Sequence, residues 1–140
     1  MGDLYELRHF RRLIESAGSR GRLLDMGRVV GRKGKRFPLL GGVLGPDDKT
    51  VPTFGIFAGV HGLERIGTRV VLAFLQSFVE RLIWDKRVSS LLDRMRVVVM
   101  PVINPAGMEA KTRCNPAGID LMRNAPVDAA GHTPFLLGGH

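Results

Sequence analysis

Apolar residues recur at helical spacing over residues 3–17. Leu4, Leu7, Phe10, Leu13, Ile14 and Ala17 make one stripe, and arginines fill the opposite face. This predicts an amphipathic helix, broken by the Gly-Ser-Arg-Gly stretch at 18–21. Residues 22–31 and 36–44 read as two strands. Arg32-Lys33-Gly34-Lys35 is the solvated tip between them, and Gly34 tolerates a positive φ there. Residues 45–49, Gly-Pro-Asp-Asp-Lys, form a loop. The run VPTFGIFAGV, Val51–Val60, predicts a strand buried on both faces. Residues 66–84 are helical in period, with Val70, Val71, Phe74, Leu75, Phe78, Leu82 and Ile83 as the expected inner stripe. A short further helical segment is expected at 88–95. RVVVMPVI at 96–103 is the second buried strand, with Pro101 marking a bulge or the strand's end. Strand, helix and strand in this order predict a βαβ unit with parallel neighbours and a right-handed crossover.

Two motifs then fall at the C-terminal ends of the buried strands, the edge where open α/β sheets bind ligands. The first is HGLE, His61–Glu64. An imidazole and a carboxylate so close in sequence suit a zinc ion, and a catalytic zinc takes three protein ligands and leaves one position open. Gly62 permits a tight turn. The plainer reading is a histidine at a helix start with a solvated glutamate in the first turn, where the macrodipole favours a carboxylate. The second motif is NPAG, which occurs at Asn104–Gly107 and again at Asn115–Gly118. Asn-Pro followed by Gly predicts a turn at each copy, so the segment folds back on itself and brings Arg113 and Arg123 to one edge. A guanidinium can grip a carboxylate through two hydrogen bonds or stabilise a forming oxyanion. Both arginines also suit a plain surface loop. Asp120 is expected to face inward, either orienting an arginine or accepting a hydrogen bond from a ligand histidine. Cys114 reads as a small filler.

The net charge is +8, yet aromatic residues make up only 6% of the chain, which leaves no stacking platform for bases. The basic residues are spread out, apart from GRKGKR at 31–36, which reads first as the hairpin's solvated tip and second as a phosphate contact. No nucleic-acid or membrane partner is expected. The one cysteine excludes an internal disulfide, and the charged N-terminus has no secretory h-region. These features favour a cytoplasmic protein.

HGLE followed by NPAGMEAKTRCNPAGIDLMRNAP resembles the M14 zinc carboxypeptidase superfamily over residues 50–126. The pattern of that superfamily is H-x-x-E, then N-P-x-G, an arginine, and G-[IV]-D-L-N-R-N-F-P. The resemblance implies an α/β fold with a mixed, largely parallel β-sheet flanked by helices. It also implies Zn2+ as cofactor, with His61 and Glu64 as two metal ligands and a zinc-bound water as the nucleophile in amide hydrolysis. Arg113 is similar to the arginine that stabilises the tetrahedral oxyanion. Arg123 is similar to the one that binds a substrate's terminal carboxylate, and Asn124 matches a supporting substrate position.

The chain departs from the pattern in places. Met122 stands where the superfamily usually has an asparagine, and Ala125 where it has phenylalanine. The family's third ligand is a downstream histidine, and a catalytic glutamate follows later still. His132 and His140 are the only histidines after His61, and no glutamate follows Glu109. The expectation is therefore a single domain over 1–140 that is the N-terminal part of a longer enzyme. A shortened inactive relative ranks second, and a site completed by His132 or His140 third. The expected substrate is the end of a peptide, for a metallocarboxypeptidase or peptide amidase. Two alternatives are an N-acyl amino acid deacylase of the aspartoacylase and succinylglutamate desuccinylase type, and a catalytically inactive binding domain.

Overall fold

The computed structural model describes residues 2–124 of the chain. Helix α1 (Tyr5–Ser16) precedes strand β1 (Gly21–Val30) and strand β2 (Arg36–Leu44). Strand β3 (Thr53–Phe57), helix α2 (Arg65–Trp84), helix α3 (Lys86–Leu91), strand β4 (Arg96–Met100) and helix α4 (Pro105–Ala110) follow. The four strands form one sheet in the order β1-β2-β4-β3. The sheet is mixed and flanked by helices, as expected, but the expected predominance of parallel pairing is not found among the described residues, because the β1–β2 hairpin joins the sheet antiparallel. Among the described residues the β3–β4 pairing is parallel, and β1–β2 and β2–β4 are antiparallel.

The hairpin turns through a 3-10 segment at 32–34, with Lys33 and Gly34 at φ values of 55° and 70°. Helix α1 buries Leu7, Phe10, Leu13 and Ile14, the residues its period selects. It lies on β2 where Gly42 leaves room, because a Cβ there would stand 2.5 Å from Ile14 Cδ1. Phe37, Leu40 and Leu44 of β2 join Val97 and Val99 of β4 and Leu72 and Leu75 of α2 in the core.

Several expectations are corrected here. The strand expected over Val51–Val60 is only Thr53–Phe57, and it is not buried on both faces: Phe54 and Phe57 are 55% and 61% exposed. The reason is position, since β3 is the last strand in the sheet's order. The helix expected at 66–84 forms, but it turns Thr68, Val71, Leu72, Leu75 and Val79 to the core. Val70, Phe74 and Ile83 from the expected stripe are exposed. Apolar residues occupy more than one face of α2, so period alone leaves its rotation open. The segment expected at 88–95 is a helix at 86–91. The second strand ends at Met100, and Pro101 lies just beyond it.

Parallel pairing continues past the ends of β3 and β4. Ala58 N–H donates to Met100 O (3.0 Å), Ile103 N–H to Ala58 O (3.0 Å) and Asn104 N–H to Gly59 O (2.9 Å). Thr68 Oγ1 donates to the carbonyl of Pro101 (2.7 Å). The HGLE and NPAG segments therefore leave the same sheet edge side by side.

Candidate metal centre and arginine cluster

His61 follows β3 in a tight turn, closed by Glu64 N–H donating to His61 O at 3.1 Å. Gly62 in that turn has an ordinary backbone conformation. Its requirement is space: a Cβ would stand 2.0 Å from the carbonyl carbon of Gly107. The two motifs thus touch backbone to backbone.

The two NPAG copies do different things, which corrects the expected pair of turns. At the first copy Asn104 caps α4. Its Oδ1 accepts from Gly107 N–H (2.9 Å), and Pro105 opens the helix, where its missing N–H costs nothing. Asn104 Nδ2 also donates to Cys114 O (3.1 Å), which ties down the segment carrying Arg113. At the second copy the chain makes a true turn. Asn115 Oδ1 accepts from Ala117 and Ile119 N–H (3.0 Å each), and Gly118 takes a φ of 81°.

That turn delivers Asp120 to the centre of the site, where it is 1% exposed. Its Oδ1 accepts from His61 Nε2 (3.2 Å) and from Met122 N–H (3.0 Å). Its Oδ2 accepts from Arg113 Nε (2.8 Å), with Arg123 Nε at 3.7 Å. Burial raises the pKa of Asp120. The hydrogen bonds from Arg113, His61 and Met122, together with the Arg113 charge, outweigh that and lower it to about 2. Asp120 is therefore an ionised acceptor. A carboxylate only accepts, so the His61 Nε2 nitrogen is the donor, and Nδ1 faces Glu64 on the other side of the ring.

His61 Nδ1 stands 3.3 Å from Glu64 Oε2. Two acceptors at that distance need a positive charge between them, either a proton or a metal ion. Ligands at 2.0–2.1 Å on a tetrahedral zinc are about 3.3 Å apart, so the pair fits one edge of such a site. The carboxylate behind His61 is the usual partner of a metal-bound imidazole. Among the described residues no group of three or more His, Cys, Asp or Glu side chains could hold a metal. His61 and Glu64 could hold two positions of such a site. His132 and His140, as well as Ala125, lie outside the described residues.

Arg113 reaches both carboxylates: its Nη1 donates to Glu64 Oε1 at 3.3 Å. Arg123 is mostly buried, and its Nη1 is buried with no hydrogen-bond partner among the described residues. Asn124 Nδ2 donates to Asp120 O (3.1 Å), so this residue braces the loop. Met122 is exposed at the rim, and Cys114 is half-buried. His61, Arg113, Arg123 and Asn124 thus gather around Asp120, with Glu64 joined through His61 and Arg113, whereas Met122 contributes its backbone N–H. A separate cavity of about 160 Å³ lies by the second NPAG turn, lined by Arg32, Cys114 and Asn115 among others.

Sequence reasoning missed two residues. Glu6 is buried at 5% exposure and accepts from Arg65 Nη1 (2.8 Å). The available signal was an acid four residues before Phe10, on the apolar stripe of α1.

A mixed α/β sheet thus carries a His–carboxylate pair and two arginines at the ends of its parallel strands. The chain belongs to the zinc carboxypeptidase family, peptidase M14, whose family model matches residues 16–135. It is 33% identical over 85 residues to Carboxypeptidase M of Mus musculus, covering 54% of this chain and 19% of that protein. It is 34% identical over 58 residues to Carboxypeptidase D of Anas platyrhynchos, covering 41% of this chain and 4% of that protein. The fold is similar to that of a metallo-carboxypeptidase from Burkholderia cenocepacia, with a TM-score of 0.64 at 22% identity, covering 81% of this chain and 31% of that one. The chain thus spans less than a third of the length of each of these relatives.

Proposed function

We propose that this chain contributes to a zinc-dependent hydrolase that cleaves an amide bond at the end of a peptide. The observation carrying the proposal is the 3.3 Å separation of His61 Nδ1 and Glu64 Oε2, with Nε2 held by the buried Asp120. His61 and Glu64 are two of the zinc ligands. When bound, zinc supplies Lewis acidity and makes hydroxide available at neutral pH by lowering a water pKa to about 7.

The chain's own residues do the rest. Asp120 fixes the imidazole's orientation and tautomer. Arg113, held by Asp120 through Nε, directs its terminal nitrogens towards the metal pair and stabilises the oxyanion of the scissile carbonyl. Arg123 offers a buried Nη1 that has no partner among the described residues and binds the substrate's carboxylate, with Asn124 bracing the loop beneath it.

The test is a substrate panel on the full protein: peptides with free and with amidated C-termini, and N-acyl amino acids. Cleavage of free-ended peptides that Arg113→Ala lowers about 10²–10³-fold in kcat supports the reading. Preference for N-acyl amino acids would reassign it to a deacylase. No turnover of any of them would leave a binding domain.

A further inference from the structure

We propose that Glu6 and Arg65 form a positioning pair that sets the His61–Glu64 turn against α4, an inference that rests on the zinc reading above. Arg65 immediately follows Glu64 and is the first residue of α2. A cation there opposes the helix macrodipole, so helix stability does not explain it. Its contacts do. Nη1 donates to Glu6 Oε1 (2.8 Å) and Nη2 to Met108 O (3.0 Å). One planar guanidinium therefore joins α1, the HGLE turn and the NPAG helix, three elements far apart in sequence.

Glu6 is a poor choice for stability alone. It is buried on the apolar face of α1, and its Oε2 has no hydrogen-bond partner among the described residues. Apolar side chains in place of a buried ion pair are often as stable or more so, whereas removing one partner is harmful. What an apolar pair would not provide is a directional hold on both Met108 O and α1 from the residue next to Glu64. The fork spans two acceptors in fixed geometry, which a lysine ammonium does not reproduce. Together with the Gly62–Gly107 contact, this hold determines where the His61 and Glu64 side chains start.

The test uses the full protein and three variants: Arg65→Met, Arg65→Lys and the double change Glu6→Leu with Arg65→Met. Each is read by thermal melting, by hydrogen exchange at the Glu64 amide, and by zinc affinity in chelator competition. The double variant is expected to melt near the wild type. Its Glu64 amide should still exchange about tenfold faster, and its zinc Kd should rise about tenfold, as for loss of a supporting contact to a metal ligand. Arg65→Lys, which keeps the charge and one bond, should be intermediate in both. A double variant that recovers exchange protection and zinc affinity along with stability would overturn the inference, because the pair would then be packing alone. A wild-type chain that binds no zinc overturns the metal reading. Exchange at Glu64 would then decide the positioning claim by itself.

Discussion

Gly62 packs directly against the backbone of Gly107, and it has no room for a side chain there. A Cβ on Gly62 would stand 2.0 Å from the Gly107 carbonyl carbon and 2.2 Å from Met108 N. Those atoms belong to a capped helix and cannot move aside as a flexible side chain could. Gly62→Ala should therefore separate the turn from α4, lowering stability by about 1–3 kcal/mol and weakening any metal held by His61 and Glu64. Denaturant unfolding and zinc titration of the variant check both effects together. Wild-type values for both would mean that the contact is dispensable.

The repeated NPAG offers a matched pair of substitutions. A Cβ on Gly118 would meet nothing within 4 Å, but its φ of 81° is strained for any other residue. Gly118→Ala should cost about 1–2 kcal/mol from conformation alone. Gly107 is helical, yet a Cβ there would lie 2.6 Å from Cys114 O and 2.3 Å from Asn104 Nδ2. Gly107→Ala should thus cost more and should disturb the Arg113 segment. Comparing the two melts shows whether identical tetrapeptides do different work.

Asp85 gives a pH prediction away from the site. It caps α3 by accepting from Arg87 N–H (3.0 Å) and pairs with Arg81 (2.7 Å). The hydrogen bond from Arg81 lowers its pKa below 3.8; burial acts the other way, and the backbone N–H groups of Arg87 and Val88 reinforce the lowering. A carboxyl with a depressed folded pKa stabilises fully above its unfolded value and loses that contribution as pH falls through the folded value. Asp85→Ala should lower stability at pH 7, as at other N-caps. The gap should shrink once the pH drops below 3.8. Paired thermal melts from pH 7 downwards measure it, and a constant gap would contradict it.

The outer edge of the sheet predicts behaviour in solution. Phe54 and Phe57 on β3 and Ile66, Val70 and Phe74 on α2 are all exposed. Exposed apolar patches and open strand edges associate. The 140-residue chain expressed by itself should self-associate, and Phe57→Lys should reduce that in light scattering. A monodisperse monomer in the unmodified chain would refute this.

Some of this was legible in the sequence for clear reasons. The helical period located α1 and α2, the turn at 32–35 located β2 and the apolar run at 96–103 located β4, and the order of these elements placed HGLE and NPAG on one edge. Local chemistry could not separate the two NPAG copies, because the difference lies downstream. Met108 is drawn into the core, whereas Ile119-Asp120 feeds the buried charge cluster. The burial of β3 was misread because an apolar run such as VPTFGIFAGV records a demand for burial and not its supply. Asp120 had two roles open to it, orienting an arginine or a histidine, and the carboxylate does both through its two oxygens. Glu6 was overlooked because an acid among apolar positions usually reads as noise in a stripe.

If His61 and Glu64 hold zinc with Asp120 behind the imidazole, the metal must depend on all three, and the zinc affinity of the full protein, alongside His61→Ala and Asp120→Asn, measures this. Stoichiometric zinc is expected in the wild type, with its loss in His61→Ala and affinity weakened about 10–100-fold in Asp120→Asn. Zinc-free wild-type protein, or zinc binding unaffected by His61→Ala, would contradict it.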